Sequence, residues 1–134
     1  METLIENQVV LGTYKGIAFH YVLNQKKAFM INASEIATFL KIDLSEYLNK
    51  ETTKYYINHI LKKEPKFYDD LNKTYERVKG TETTLEDLLL IENGIYFFDY
   101  FLIYDMLKEH LEFYFWIDDI RIDTIRGLLN MKST

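Results

Sequence analysis

The sequence predicts an α+β fold, and three local patterns support this prediction. Two runs rich in β-branched and aromatic residues, 8–14 and 17–23, are separated by Lys15-Gly16, which is typical of a β-hairpin. Two helix-capping patterns then follow a short apolar segment. Later in the chain, an Asn93-Gly94 pair between apolar runs predicts a second hairpin. Strands and helices are therefore expected together in one chain.

The first capping pattern begins directly after an apolar segment, Phe29-Met30-Ile31, that is typical of a strand. Asn32 stands at the expected N-cap, with Glu35 three residues later. In such a capping box, the Asn side chain accepts a backbone N–H and the carboxylate reaches back to the cap. The pattern predicts a third short strand at 28–31 and a helix at 33–41.

A second capping pattern, Asp43 with Glu46, begins a segment of helical composition at 44–63. Thr52 and Thr53 are possible caps of a further helix inside it. Strand, capped helix, tight turn and second helix form a helix-turn-helix candidate. On the second helix, the residues expected to share an inward face are Leu44, Leu48, Tyr55 and His59.

The next segment, 65–79, is predicted to be a helix because Pro65 suits a first helical position and Gly80 a helix end. Residues 85–91 are predicted as the strand that precedes Asn93-Gly94, with a helical turn capped by Thr84 as the alternative.

Helical structure is predicted over about residues 100–126, in two segments. Asp99 is expected to cap the first, whose positions of one face are Ile103, Met106, Leu107, His110 and Tyr114. The second is expected to follow through Ile117 and Ile120 and to end at Gly127.

The order of these elements resembles the KilA-N family of phages and large DNA viruses, which is related to fungal APSES DNA-binding domains. The resemblance rests on Ile31-Asn32-Ala33-Ser34, on Tyr47 where the family usually has Trp, and on residues 93–99 and 112–117. It covers about residues 16–120 in order, spacing and residue type. The family's Gly-Gly-Thr is not present, and Phe98-Asp99 and His110-Leu111 replace its His-Pro and Ser-Pro. The resemblance implies an N-terminal hairpin, helix-turn-helix-like helices, a wing-like second hairpin and C-terminal helices.

Composition indicates one globular domain that spans residues 1–134. Hydrophobic residues make up 48% of the chain and aromatic residues 16%, which provides enough apolar surface for a core. No apolar run approaches the ~20 residues of a membrane span, and the acidic N-terminal segment does not resemble a secretory signal. A cytoplasmic location is expected, in the host cytosol if the protein is viral. Because there is no cysteine, disulfides and thiolate chemistry are excluded.

Charge is distributed unevenly along the chain. The net charge is −5, whereas proteins that bind DNA strongly usually carry a basic surplus. Residues 41–79 contain nine basic and seven acidic residues, a local charge of +2. Residues 81–123 contain eleven acidic residues against Lys108 and Arg121, a local charge of −9. The acidic part is interpreted either as a solvated helix face or as a surface for a basic partner.

The leading hypothesis is a phage or viral DNA-binding module with no enzymatic activity. It places double-stranded DNA on a polar edge of the second capped helix, where lysines meet phosphates and short polar side chains meet base edges. The alternative is that these residues only cap and solvate the helix. The predicted contact residues are Asn49, Lys50, Thr52, Thr53 and Lys54, with Lys62 and Lys63 nearby on phosphate.

The second hypothesis is a virus-encoded inhibitor of the anti-CRISPR or another anti-defence type. It would bind a host protein or ribonucleoprotein complex that handles nucleic acid, through an acidic surface. The aromatic-rich C-terminal half also suggests a possible homodimer surface. The predicted acidic contact residues are Glu109, Glu112, Asp118, Asp119 and Asp123.

Residue patterns for catalysis, cofactors and metals are not recognisable in the sequence. His20, His59 and His110 are too far apart to pair as ligands on one helix. The carboxylates between Asp118 and Asp123 lack the strand-borne Asp and Lys partner of a metal-dependent nuclease. Neither a phosphate loop nor a dinucleotide fingerprint is present. The sequence therefore predicts a binding protein with no metal and no cofactor.

Overall fold

The fold combines one antiparallel sheet with helices packed mainly on one of its faces. In the computed structural model, residues 3–24, 28–62 and 84–133 are described, with side chains through residue 128. The strands are β1 (Val9–Tyr14), β2 (Ile17–Leu23), β3 (Phe29–Asn32), β4 (Leu89–Glu92) and β5 (Ile95–Phe98). The helices are α1 (Ala33–Leu40), α2 (Leu44–Asn49), α3 (Glu51–Leu61), α4 (Leu85–Leu88), α5 (Tyr100–Met106) and α6 (Leu111–Ser133).

Both hairpins turn through two residues with positive φ, which is the backbone of a type I′ turn. The φ angles are 50° at Lys15 and 81° at Gly16 in the β1–β2 turn. They are 49° at Asn93 and 78° at Gly94 in the β4–β5 turn. The two hairpins predicted from the sequence are therefore confirmed.

β3 joins the hairpins into one five-stranded sheet of order β1-β2-β3-β5-β4. Ile31 pairs with Tyr21 of β2 on one side and with Phe98 of β5 on the other, antiparallel in both cases. This confirms the α+β prediction, and it places β3 within one residue of its predicted bounds.

Alternation along the strands separates two apolar layers, because successive side chains point to opposite faces of a sheet. Ile31 and Phe98 face the helices and join a core to which α1, α5 and α6 contribute. Met30 and Phe97 face the other way and pack with Val22. Leu4 and Ile5, at the start of the chain, cover this second layer.

β1 contains a bulge at the place where α6 crosses it. The pairing with β2 shifts between Val10 and Gly12, so Leu11 is an extra residue in the strand. A Cβ built at Gly12 would lie 3.2 Å from Ile120 Cγ1 and 3.2 Å from Trp116 Cζ2. The absence of a side chain at residue 12 therefore lets α6 approach the sheet closely.

The two predicted N-caps are confirmed, but Glu35 does not reach back to its cap. Asn32 Oδ1 accepts the Glu35 backbone N–H (3.1 Å) and Asp43 Oδ1 accepts that of Glu46 (3.0 Å). The Glu35 carboxylate instead accepts the backbone N–H of His20 (2.8 Å) and lies 2.8 Å from His20 Nδ1. The pairing of β2 with β3 ends at Tyr21 and Ile31, and β3 itself ends at Asn32. The Glu35 carboxylate therefore accepts a β2 backbone N–H that lies just beyond this pairing.

The single helix predicted at 44–63 is wrong, because two helices replace it. α2 ends at Asn49 and α3 begins at Glu51, with extended backbone at Lys50. The further helix that was considered does exist, but its N-cap is Lys50 rather than Thr52 or Thr53.

The predicted inward face of this segment is wrong in its second half. Leu44 is buried and Leu48 half-buried, whereas Tyr55 is 76% exposed and His59 is also exposed. The extended residue Lys50 interrupts the helical rotation between α2 and α3. The apolar period of α2 therefore does not continue into α3.

Residues 85–91 follow the alternative prediction at their start. Leu85–Leu88 forms a helical turn with a capping box between Thr84 and Asp87, and strand β4 begins only at Leu89. A strand over the whole segment was therefore wrong.

The C-terminal helical region is divided into two helices as predicted, but the break comes earlier than expected, because the first helix was predicted to extend to Tyr114 and ends at Met106. Asp99 caps α5 as predicted, accepting the N–H groups of Phe101 and Leu102. The chain then turns between Leu107 and His110 before α6 begins. A straight helix over 100–126 would be about 40 Å long, roughly twice the width of five strands at their usual spacing. The turn lets both halves pack on the same sheet.

The predicted stop at Gly127 is also wrong, because α6 continues to Ser133. Glycine ends a helix when it adopts positive φ, and Gly127 does not adopt it. The helix predicted at 65–79 and the site residue Lys63 lie outside the described residues. None of the helices in the described ranges has the length and apolar composition needed to cross a membrane.

Candidate nucleic-acid interface

The α2–α3 junction is built around Lys50, whose backbone belongs to neither helix. Its φ of −64° and ψ of 139° end α2 and start α3. Its N–H donates to Tyr47 O (3.3 Å), and its own carbonyl accepts the Lys54 N–H (3.0 Å). Both helices are therefore bonded to the residue that separates them.

The junction projects four of the predicted contact residues into solvent. Asn49, Lys50, Thr52 and Lys54 are all exposed. The Asn49 amide nitrogen donates to Ser45 O (2.9 Å), which positions its side-chain oxygen. We call these four residues the junction edge.

Thr53 does not lie on the junction edge, so this part of the predicted site is wrong. It is only 2% exposed. Its side chain interacts with the Tyr47 phenol and partly offsets the raised pKa of that group. One residue along a helix rotates the side chain by about 100°, so Thr52 and Thr53 point to different surroundings.

Two tyrosine side chains fix the junction edge to α5. The Tyr47 hydroxyl donates to a carboxylate oxygen of Asp105 at 2.6 Å. From α3, the Tyr56 hydroxyl donates to Phe101 O at 3.1 Å. Two phenols, one on each side of Lys50, therefore hold the junction against the same helix.

Burial raises the pKa of Tyr47, and the hydrogen bond to Asp105 raises it further. Burial and the bond to Asp118 likewise raise the pKa of Tyr104, while Arg121 partly offsets the effect. Both phenols therefore stay protonated in the folded protein above the pH at which an ordinary tyrosine ionises.

Alkaline pH is expected to destabilise the fold. In the unfolded chain Tyr47 ionises near pH 10, but in the folded protein its pKa is higher, so unfolding releases a proton above pH 10. Stability is then full below pH 10 and falls above it, by at most about 1.4 kcal/mol per pH unit for Tyr47. Tyr104, which is half-buried, adds a smaller amount. Urea unfolding midpoints between pH 8 and pH 11 measure the slope. We expect a shallower slope for Tyr47→Phe, and an unchanged slope would contradict the assignment.

The N-terminus of α3 lies at the junction edge without a side-chain cap, since Lys50 makes no capping hydrogen bond. Uncapped N–H groups and the helix dipole favour negative groups at such an end. Glu51 occupies the first turn, and Glu46 of α2 is also exposed nearby in the sequence. The lysines of the edge are therefore balanced by local carboxylates, which limits its positive potential.

Lys62 is exposed at the far end of α3. Lys62 follows Lys54 by eight positions, which corresponds to about 12 Å along the helix axis. That distance allows the two ammonium groups to reach different phosphates of one backbone.

The predicted acidic residues do not all lie on one free surface. Glu109, Glu112, Asp119 and Asp123 are exposed, whereas Asp118 is half-buried. Asp118 accepts a hydrogen bond from the Tyr104 hydroxyl and lies 3.8 Å from the Arg121 guanidinium. Asp118 is therefore engaged within the fold and is less accessible to a partner than the other four residues.

Sequence reasoning did not identify the cluster around Arg121, which ties α5 to α6. Arg121 is 5% exposed, donates from Nε to the Tyr104 hydroxyl (3.0 Å) and lies over the ring of Tyr100 at 4.8 Å. The spacing of Asp118 and Arg121, three residues apart on one helix, was the pattern that would have indicated an internal ion pair.

In the described ranges, no group of three or more His, Cys, Asp or Glu side chains is arranged to hold a metal ion. No protein-family model, curated protein or solved structure matches the chain.

Proposed function

We propose that the protein binds double-stranded DNA without enzymatic activity, through the junction edge and Lys62. The observation that carries the proposal is the exposed edge itself. It combines two lysines four residues apart with an amide and a hydroxyl, at an uncapped helix end held from beneath by Tyr47. The resemblance to KilA-N proteins, in sequence order and residue type, supports the same function.

The chemistry of the edge divides between phosphates and bases. Lys50 and Lys54, with the N–H groups that begin α3, suit phosphate oxygens. Asn49 and Thr52 carry the short donor and acceptor groups that meet base edges in a groove. Because the exposed carboxylates of Glu46 and Glu51 offset part of the positive charge, we expect few phosphate contacts, a modest affinity and a correspondingly shallow salt dependence.

A salt series with a mixed-sequence DNA duplex tests the proposal. Each phosphate contact contributes about 0.9 to the slope of log affinity against log salt concentration. We expect Lys50→Gln with Lys54→Gln to lower the slope by up to about 1.8, because two contacts are lost. Fluorescence anisotropy of labelled DNA with the full chain measures it.

The matched control is Lys15→Gln with Arg126→Gln, which removes the same charge from exposed residues outside the edge. An equal loss of slope in both double variants would show that only net charge matters. No measurable DNA binding by the wild-type chain at low salt would remove the proposal.

A further inference from the structure

The outward side of α6 carries large apolar side chains that the fold does not cover. Leu111 and Phe115 are 56% and 60% exposed, and they lie one helical turn apart on the same side of the helix. The Phe115 ring also contacts Tyr114 edge-on, with centroids 5.4 Å apart. Two adjacent exposed apolar side chains on one helix are a feature of protein interaction surfaces.

The opposite side of α6 is buried. Phe113, Ile117 and Ile125 are buried in the core, and Arg121 is buried beside them. These buried side chains form the face of α6 that packs against the rest of the fold, and Phe115 is not part of that face.

Acidic side chains border the apolar pair. Glu112, Asp119 and Asp123 are exposed and follow one another at spacings of seven and four residues, which places them on an adjoining stripe of α6. The Tyr14 hydroxyl donates to the Glu112 carboxylate at 3.1 Å and orients it. We call Leu111, Phe115, Glu112, Asp119 and Asp123 the α6 face.

Neighbouring charges leave the α6 face acidic. Glu109 is exposed just before the helix, while Lys108 pairs with Asp105 at 3.3 Å. Arg126, two turns beyond Asp119, is an exposed base on the described part of the helix. Such a face repels DNA, anionic lipid and a second copy of itself, because each presents like charge.

We propose that the α6 face docks a basic segment of a partner protein, whose apolar side chains cover Leu111 and Phe115. Lysines or arginines of that segment would meet Glu112, Asp119 and Asp123 around the apolar contact. This interaction is separate from DNA binding, because it uses none of the residues of the junction edge. A chain with both surfaces would bring a protein partner to DNA.

The probe for this surface is a labelled leucine–lysine amphipathic helical peptide, titrated with the full chain and followed by fluorescence anisotropy. We expect Phe115→Ala to weaken binding about tenfold, since an exposed aromatic anchor is lost. We expect Glu112→Gln with Asp119→Asn and Asp123→Asn to weaken it as strongly at low salt and less at high salt. The same peptide with glutamate in place of lysine is expected not to bind.

Matched controls separate this face from general stickiness. Tyr55→Ala removes another exposed aromatic side chain, and Glu46→Gln with Glu51→Gln and Glu86→Gln removes three exposed charges elsewhere. Peptide affinity within about twofold of wild type in both controls supports the proposal. Equal weakening by the controls would overturn it, because the attraction would then be unspecific.

Two further outcomes decide between occupants. If sedimentation shows a wild-type dimer that Phe115→Ala converts to monomer, a second copy covers the face and the proposal fails. If the triple acidic variant loses DNA binding, the face belongs to the DNA interface and the proposal also fails. Unchanged or tighter DNA binding with weaker peptide binding supports it.

Discussion

Replacement of Lys50 and Lys54 by glutamate is expected to reduce DNA affinity at least about 100-fold at low salt. Each substitution removes a positive charge from the junction edge and places a negative charge where a phosphate would lie. Glu46 and Glu51 are exposed close by in sequence, so every charged side chain at the substituted edge would be negative. Electrophoretic mobility shift or anisotropy with a DNA duplex measures the loss.

The fold is expected to tolerate this double substitution, because both lysine side chains are exposed. The melting temperature should stay within a few degrees of wild type, as is usual for surface changes. Lys15→Glu with Arg126→Glu, at two exposed residues outside the junction edge, serves as the control for net charge. Undiminished DNA affinity in the Lys50 and Lys54 variant would mean that DNA does not contact the junction edge.

Arg121→Met is expected to destabilise the protein by about 3 kcal/mol. Methionine keeps much of the apolar volume but removes the donor to Tyr104 and the cation beside Asp118. Removal of one member of a buried charged cluster costs more than the cluster contributes, because its partners lose their compensation. The Asp118 side chain is 29% exposed, so water limits the loss to the lower part of the usual range.

Urea denaturation of Arg121→Met beside Arg126→Met measures this difference. Arg126 is exposed on the same helix, so its substitution should change the free energy of unfolding by less than about 0.5 kcal/mol. If the two variants are equally stable, the contacts of Arg121 contribute nothing net to the fold.

Elements that depend on neighbouring residues were predicted well from the sequence. The Asn93-Gly94 turn requires positive φ at two successive positions, and few residue pairs accept it. The N-caps Asn32 and Asp43 also act within three residues of themselves. Such local chemistry identifies where elements begin without any knowledge of the sheet.

The break at Lys50 and the turn before α6 have a different origin, and their positions were not predicted. Neither place contains glycine or proline, and helix-forming composition continues through both. The chain leaves the helix at Lys50, and this places Tyr47 and Tyr56 against the same helix, α5. Contacts between residues more than forty positions apart cannot be inferred from local periodicity.

For the candidate site, charge and polarity correctly indicated the four exposed residues of the junction edge. They did not show which neighbouring polar residues point toward the core. Thr53 and Asp118 have the same residue types as their exposed neighbours Thr52 and Asp119. Only the packing of α3 and α6 distinguishes the two members of each pair.

The bulge in β1 bears on how the protein behaves when it is concentrated. β1 and β4 are the two outer strands of the sheet, and outer strands can recruit strands from other molecules into mixed aggregates. The extra residue Leu11 bends β1 and breaks the even spacing of its outward N–H and C=O groups, while β4 is only four residues long. The bulge therefore makes β1, with its exposed valines at residues 9 and 10, a poorer template for intermolecular pairing than a regular strand of the same length.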